Sequence, residues 1–453
     1  MAYTTTTTTS YGSRVKNSCG GIFGGIALFL AGTALLWWNE GNAVANAKLL
    51  EEVSETAVDM ENINKINPEF DGQLVHATGD AKTDDMLKDP TFGFEVNAIN
   101  LQRSVQYYQW VEHQKQEKRD KLGGSEETIT TYTYDKQWVS SPVNSSNFAD
   151  PQYANIFNGV LASIENNALY AENVTFGAYK LPEFIIHSIG GSEAAPISIT
   201  DDQLRQLDDQ VARTVSSFGG RYNGVAAAQA QPQAQAQAQP QPQAQAAQND
   251  STANDSIKEF VPVETNNKYK ARYIHQGDGE IYIGASPSAP QVGDVRVAFT
   301  VVKPHKISLI SKVKGNTFQK YVGKNKKEFT RVESGDVSKE EMFAHQESEN
   351  NMLKWGLRIL GFIMVFLGLK GVFGFLVTIA KVVPFIANIL NFGVNLICGI
   401  FAFVWSLLII AIAWIFYRPL IGIPLLLIII GTIVFFAVKG KKKGAQVPPA
   451  PGV

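Results

Sequence analysis

The chain has 453 residues, with 40 lysines and arginines against 42 aspartates and glutamates, a formal charge of −2 and a pI near 6.3. A nucleic-acid binder usually shows a basic face, so this balance argues against nucleic acid as a partner. The chain has two cysteines, Cys19 and Cys398, both in or beside apolar runs, which argues against a disulfide framework or a cysteine metal site. Residues 45–350 carry most of the charge, whereas residues 351–438 are overwhelmingly apolar.

In chain order, the threonine-rich opening "YTTTTTTS" falls in residues 1–18, which are expected to be a disordered tail. Residues 19–38 form an uncharged apolar run. A helix needs about 20 such residues to cross ~30 Å of hydrocarbon. Gly20-x-x-x-Gly24 and Gly21-x-x-x-Gly25 are spacings that let a second helix approach closely. Ala43-Val44-Ala45 and Ala45-Asn46-Ala47 fit a small-residue cleavage pattern. The run is nevertheless too long for a signal-peptide core of about 7–15 residues, and Trp37 and Trp38 resemble an interfacial anchor. The span reading is preferred.

Residues 39–353 read as a β-rich domain. Residues 42–62 carry helical periodicity just after the span. "GQLVHATGD" (72–80) reads as a strand. Residues 101–115 and 127–139 read as a hairpin turning at Gly123-Gly124-Ser125. Residues 270–284 and 292–313 are also β-rich, with Val295, Val297, Phe299 and Val301 alternating with Arg296, Ala298 and Thr300. Residues 226–256, rich in Ala, Gln and Pro, cannot build a core and read as a flexible insert. Asn144, Asn173, Asn249 and Asn254 open glycosylation sequons.

The C-terminal block reads as three further spans, over 354–375, 392–417 and 419–438, followed by a basic tail at 439–453. Between the first two, residues 376–391 are interrupted by Lys381, Pro384 and Asn388. They read as an interfacial or re-entrant helix, with continuation of the preceding helix as the alternative. Arg418-Pro419 marks the next break. The fold class expected is therefore a multi-pass α-helical membrane protein with four transmembrane helices and a large α+β, β-rich extracytoplasmic domain. Arg14 and Lys16 precede the first span, and Lys439 and Lys441 to Lys443 follow the last. The positive-inside rule then places both tails in the cytosol.

No phosphate-binding loop, nucleophile elbow or zinc-protease motif occurs. The six histidines are scattered. Glu112 and His113 point to opposite faces of a strand, which weakens an acid/base pairing. No catalytic residue, metal ligand or cofactor is assigned, and an enzyme is not expected. Topology does bring Glu40, Arg358 and Arg418 to one membrane depth. Glu40 is expected to pair with Arg418 or Arg358, the alternative being three separately hydrated charges.

Several stretches, taken together and in order, carry a resemblance: "LLWWNEGNAV", "LQRSVQYYQWVE", "TYTYDKQWVSSPVNSSNF", "PQVGDVRVAF" and "KWGLRILGFIMVFLGL…AWIFYRPL". Within them stand Trp38, Asn39, Glu40, Gly41, Tyr108, Gln109, Trp110, Glu112, Gly293, Asp294, Arg296, Arg418 and Pro419. On these the chain resembles the LUMA (transmembrane protein 43) family. The resemblance implies four membrane helices and one lumenal domain. It also implies residence in the endoplasmic reticulum and inner nuclear membrane of animal cells, and association with itself and with lamina and emerin-type partners. Bacterial chains of this kind would sit in the cytoplasmic membrane. The function expected is a non-enzymatic, self-associating membrane scaffold in contact with the lipid bilayer. The alternative is a transport or channel component, with Asn395 and Ser406 lining a polar path.

Overall fold

The computed structural model describes residues 3–222, 260–263, 267–420, 422–424 and 427. The expected insert, the basic tail and the sequons at Asn249 and Asn254 lie outside the described residues. So does most of the expected fourth span, of which only Pro419, Leu420, 422–424 and Leu427 are described, all helical.

The long helices are α1 (Tyr11–Thr56), α2 (Asp201–Ser217), α3 (Lys339–Ala380) and α4 (Pro384–Tyr417). Among the described residues, α1, α3 and α4 are long and apolar enough to cross a membrane. At 1.5 Å per residue α1 is about 70 Å long, far beyond a bilayer core. Its apolar run therefore continues without a break into the polar helix expected after it. Ser338 starts α3 with a capping box, its side chain accepting from the Glu341 backbone while Glu341 reaches back. Residues 376–391 are not a separate element. Residues to Ala380 extend α3, Lys381 caps it, and Pro384 opens α4 at a position where its missing N–H is no loss.

The β-rich domain has two main sheets. The first is ordered β1 (Tyr3–Thr9), then β4 (Glu126–Val139), β3 (Asn100–Asp120), β7 (Val295–Val302), β6 (Glu280–Ile283) and β5 (Ile274–Gly277). Along β7, Val295, Val297, Phe299 and Val301 are buried against Leu204, Val211 and Val215 of α2. The second sheet is built on the antiparallel pair β2 (Leu74–Lys82) and β8 (His305–Lys314), with β9 (Arg331–Ser334) at the other edge of β8. Leu49 and Val53 of α1 and Met342 of α3 share a core with Leu74, Ile310 and Phe329. Two apolar helices thus continue unbroken into the domain's hydrophobic interior.

The threonine-rich opening is not a disordered tail. It forms β1, antiparallel to β4 from Tyr3 opposite Tyr132 to Thr9 opposite Glu126. Threonine is β-branched, and the outer edge of β4 offers unpaired backbone groups, so the strand forms once that edge is present. Ser10 then caps α1.

α1 and α3 run antiparallel in backbone contact. A Cβ on Gly25 would lie 2.6 Å from the Gly368 carbonyl oxygen, and one on Gly32 would lie 2.8 Å from the Met364 Cβ. Of the two spacings noted in the sequence, only Gly21/Gly25 faces α3. A Cβ on Gly20 or Gly24 would meet nothing within 4 Å. One residue along a helix is a turn of about 100°, so the two glycine pairs look to different sides.

Candidate functional site

The sequence motifs gather in two places. The first is the junction where α1, α3 and α4 meet at the polar end of the apolar run. Glu40 is buried at 2% exposure. Arg358 donates to it through two nitrogens, Nε to Oε1 at 2.6 Å and Nη2 to Oε2 at 2.8 Å. Such a forked pair holds both charge and orientation. Trp414 Nε1 donates to the same Oε2 at 2.7 Å. The Arg358 guanidinium lies 4.7 Å from the Trp355 ring centre and 5.8 Å from that of Trp414. Next along α1, Asn39 donates to the Lys354 carbonyl at 3.0 Å. At Gly41 a Cβ would come within 2.7 Å of the Tyr417 ring, so the absence of a side chain admits the end of α4. Trp37 packs on Phe416 and Tyr417, whereas Trp38 is exposed.

Arg358, not Arg418, holds Glu40. Arg418 is exposed, and its backbone N–H donates to the Trp414 carbonyl to close α4. Pro419 follows immediately, and the Gly422 N–H returns to the Arg418 carbonyl. Trp414 is not among the residues singled out in the sequence, although it stands in the same stretch, "AWIFYRPL", four residues before Arg418.

The second place is a face of the first sheet. The Gly293 N–H donates to the Tyr108 carbonyl, and the Tyr108 N–H donates to the Asp294 carbonyl. Gly293 has a φ of +111°, which a side chain would strain. Asp294 is fully buried. It accepts from Tyr222 Oη at 2.6 Å, Tyr282 Oη at 2.5 Å and the Gln291 backbone at 2.7 Å. Gln109, also fully buried, donates to the Asn158 carbonyl at 2.8 Å and accepts from the Val143 N–H at 2.5 Å. Asn158 brackets the backbone of Trp110. Glu112 accepts from Tyr134 Oη and the Ala149 N–H, both at 2.6 Å, while His113 pairs with Asp135 on the opposite face. Arg296 contacts Glu280 at 2.9 Å and lies over the Trp138 ring. These groups join strands to loops, so the motif residues of this face build the domain. No cluster of three or more metal-ligating side chains occurs among the described residues.

Burial pushes the Asp294 carboxyl up from 3.8 to about 6, against the opposing hydrogen bonds from Gln291, Tyr222 and Tyr282. Burial and the same carboxylate push both tyrosine hydroxyls up as well. A carboxyl raised on folding contributes stability that is complete below 3.8 and is lost as pH rises through 6. The rise corresponds to roughly 3 kcal/mol. Asp294→Asn is therefore expected to flatten this part of the stability profile. Thermal unfolding of both proteins from pH 4 to 7 measures it. A profile equally steep in the variant would contradict the assignment.

The family profile described as "Transmembrane protein 43" matches residues 107–419. "Transmembrane protein 43" of Rattus norvegicus is 27% identical over 417 residues, covering 90% of this chain and 87% of that protein. The Homo sapiens protein of that name is 25% identical over 417 residues, with the same coverage. "Transmembrane protein 43 homolog" of Drosophila melanogaster is 25% identical over 412 residues, covering 89% of this chain and 90% of that protein. No solved structure matches the chain.

Proposed function

Since the chain belongs to the transmembrane protein 43 family and is an integral membrane protein, we propose that it is a non-enzymatic, self-associating membrane scaffold. Its domain binds partner proteins, and its helix bundle organises other proteins of the same membrane. One observation carries this reading. The two helices that bracket the domain run unbroken from the apolar region into the domain's core, where Leu49, Val53 and Met342 pack with Leu74 and Ile310. The domain is thus held rigidly to the bilayer, as a scaffold requires. In a eukaryotic cell the membrane is that of the endoplasmic reticulum and inner nuclear envelope; in a bacterium it is the cytoplasmic membrane. Both tails lie in the cytosol, with the domain on the other side.

Light scattering of the purified full chain in detergent tests self-association. A mass of two copies or more is expected, and a monomer at every concentration would overturn it. One observation favours a transport or channel component instead. Asn395 Oδ1 and Ser406 Oγ, in α4, are buried without a hydrogen-bond partner among the described residues. Such groups either meet another helix or line a polar path. Ion flux in reconstituted vesicles is expected to stay at the protein-free level, and a sustained flux would favour the second reading.

A further inference from the structure

The start of α1 and the turn between α3 and α4 form one end of the helix bundle, and this end is cationic. Arg14, at 8% exposure, donates to Asp120 Oδ1 at 2.6 Å, Glu126 Oε2 at 3.1 Å and the Gly124 carbonyl at 2.8 Å. Lys381 Nζ lies 3.4 Å from the same Asp120 oxygen and 3.9 Å from Glu126 Oε2. Tyr11 Oη donates to the Ile379 carbonyl, and Gly123 N–H to that of Val382. Beside these contacts lies a cavity of about 240 Å³ lined by Asp120, Lys370, Thr378, Lys381, Asn388 and Asn391. Among the described residues no carboxylate pairs with Lys370. The carboxylates that meet Arg14 and Lys381 are Asp120 and Glu126, at the tip of the β3–β4 hairpin.

That hairpin begins in the domain, where Tyr107 pairs with Val295 and Val139. The domain packs on the far end of α1, at Leu49 and Val53. The hairpin must therefore pass the whole apolar run to bring its tip to Arg14. Its passing strand is exposed and charged, with Lys115, Glu117, Lys118 and Arg119. Hydrocarbon does not accept such a strand, nor its open backbone edges. A bilayer around residues 19–38 excludes the docked hairpin tip and, with it, the pairing of β1 with the tip end of β4. Once the helices are in lipid, Arg14 and Lys381 lose Asp120 and Glu126, at the depth where headgroup phosphates stand.

We propose that Arg14, Lys370 and Lys381, with the amides of Asn388 and Asn391, form a binding site for the phosphate of an anionic phospholipid headgroup. Asp120 and Glu126 occupy that site when lipid does not. Arg14 and Lys381 take the phosphate in place of the carboxylates. Lys370, eleven residues before Lys381 and so about three turns deeper, lines the same cavity and extends its charge toward the headgroup from within the apolar run. Under the proposed topology the site faces the cytosolic leaflet, where anionic lipids concentrate. The inference rests on the span of α1 alone. Absence of a lipid preference in the wild-type chain, with self-association intact, would refute it without touching the scaffold reading.

The full chain in nanodiscs of phosphatidylcholine, with or without phosphatidylserine, provides the test. Native mass spectrometry of the released protein is expected to show retained phosphatidylserine over phosphatidylcholine by on the order of tenfold. Arg14→Gln with Lys381→Gln is expected to abolish the preference. Lys370→Gln, at an exposed residue, is expected to lower it severalfold with the fold unchanged. Inorganic phosphate is expected not to displace the lipid; displacement would assign the site to a soluble anion and overturn the proposal. In a background lacking Cys19 and Cys398, Leu122→Cys with Val382→Cys is expected to cross-link in neutral detergent and to stop doing so in phosphatidylserine nanodiscs. Equal cross-linking in both, or no lipid preference in wild type, would overturn the proposal as well.

Discussion

Arg358→Met is expected to destabilise the helix bundle by about 3–5 kcal/mol, because it leaves Glu40 charged, almost fully buried and held by Trp414 alone. Replacing both partners, Glu40→Gln with Arg358→Met, removes the stranded charge and is expected to recover most of the loss. Arg418→Gln is expected to change stability by no more than about 0.5 kcal/mol, since Arg418 is exposed and does not pair with Glu40. Thermal unfolding of the four proteins in one detergent measures the set. The contrast between Arg358 and Arg418 matters most. If Arg418→Gln proved as damaging as Arg358→Met, the junction would be built differently from the arrangement described.

Gly25→Leu is expected to be similarly damaging, by about 3 kcal/mol or more. The nearest atoms to a Cβ there are backbone: Gly368 O at 2.6 Å and Val372 N at 2.7 Å. Backbone cannot rotate aside, so α1 and α3 must separate. Separation pulls Leu36 away from Gly361 and Val365 and strains the pairing of Glu40 with Arg358 one turn beyond. Membrane helices lack a hydrophobic drive toward one another, so this close packing supplies much of their association. Gly24→Leu is the control, because its Cβ would face open space. Stability and yield of the two variants in detergent should differ sharply. Equal behaviour would mean that the glycine face does not hold the pair together.

The sequence made some of this architecture legible. The apolar run from Cys19 to Trp38 and the block after Trp355 announce spans through length alone, and the alternation from Val295 to Val301 announces a strand with one buried face. What it concealed depends on partners distant in the chain. The threonine run looks like low-complexity tail until the edge of β4 is known to lie beside it. Arg358 and Arg418 both reach the depth of Glu40, and only the helix packing turns Arg358 toward it. Gly20/Gly24 and Gly21/Gly25 are equivalent as spacings, and the position of α3 selects the second. Pro384 breaks the helix as its chemistry requires, yet the pattern could not say that the break is a turn between two long helices. The Asp294 cluster joins residues 72 positions apart, Tyr222 to Asp294. Only the end carrying Gly293-Asp294 stood out in the sequence.

The account depends on α1 crossing the bilayer, with its start and the β-rich domain on opposite faces. Single cysteines at Ser10 and at Lys324, each in a chain lacking Cys19 and Cys398, can be probed in sealed vesicles, cytosolic face outward, with a maleimide that does not cross membranes. Ser10→Cys should label at once, and Lys324→Cys only after detergent opens the vesicles. Labelling of Lys324→Cys in intact vesicles, at the rate seen for Ser10→Cys, would contradict the account.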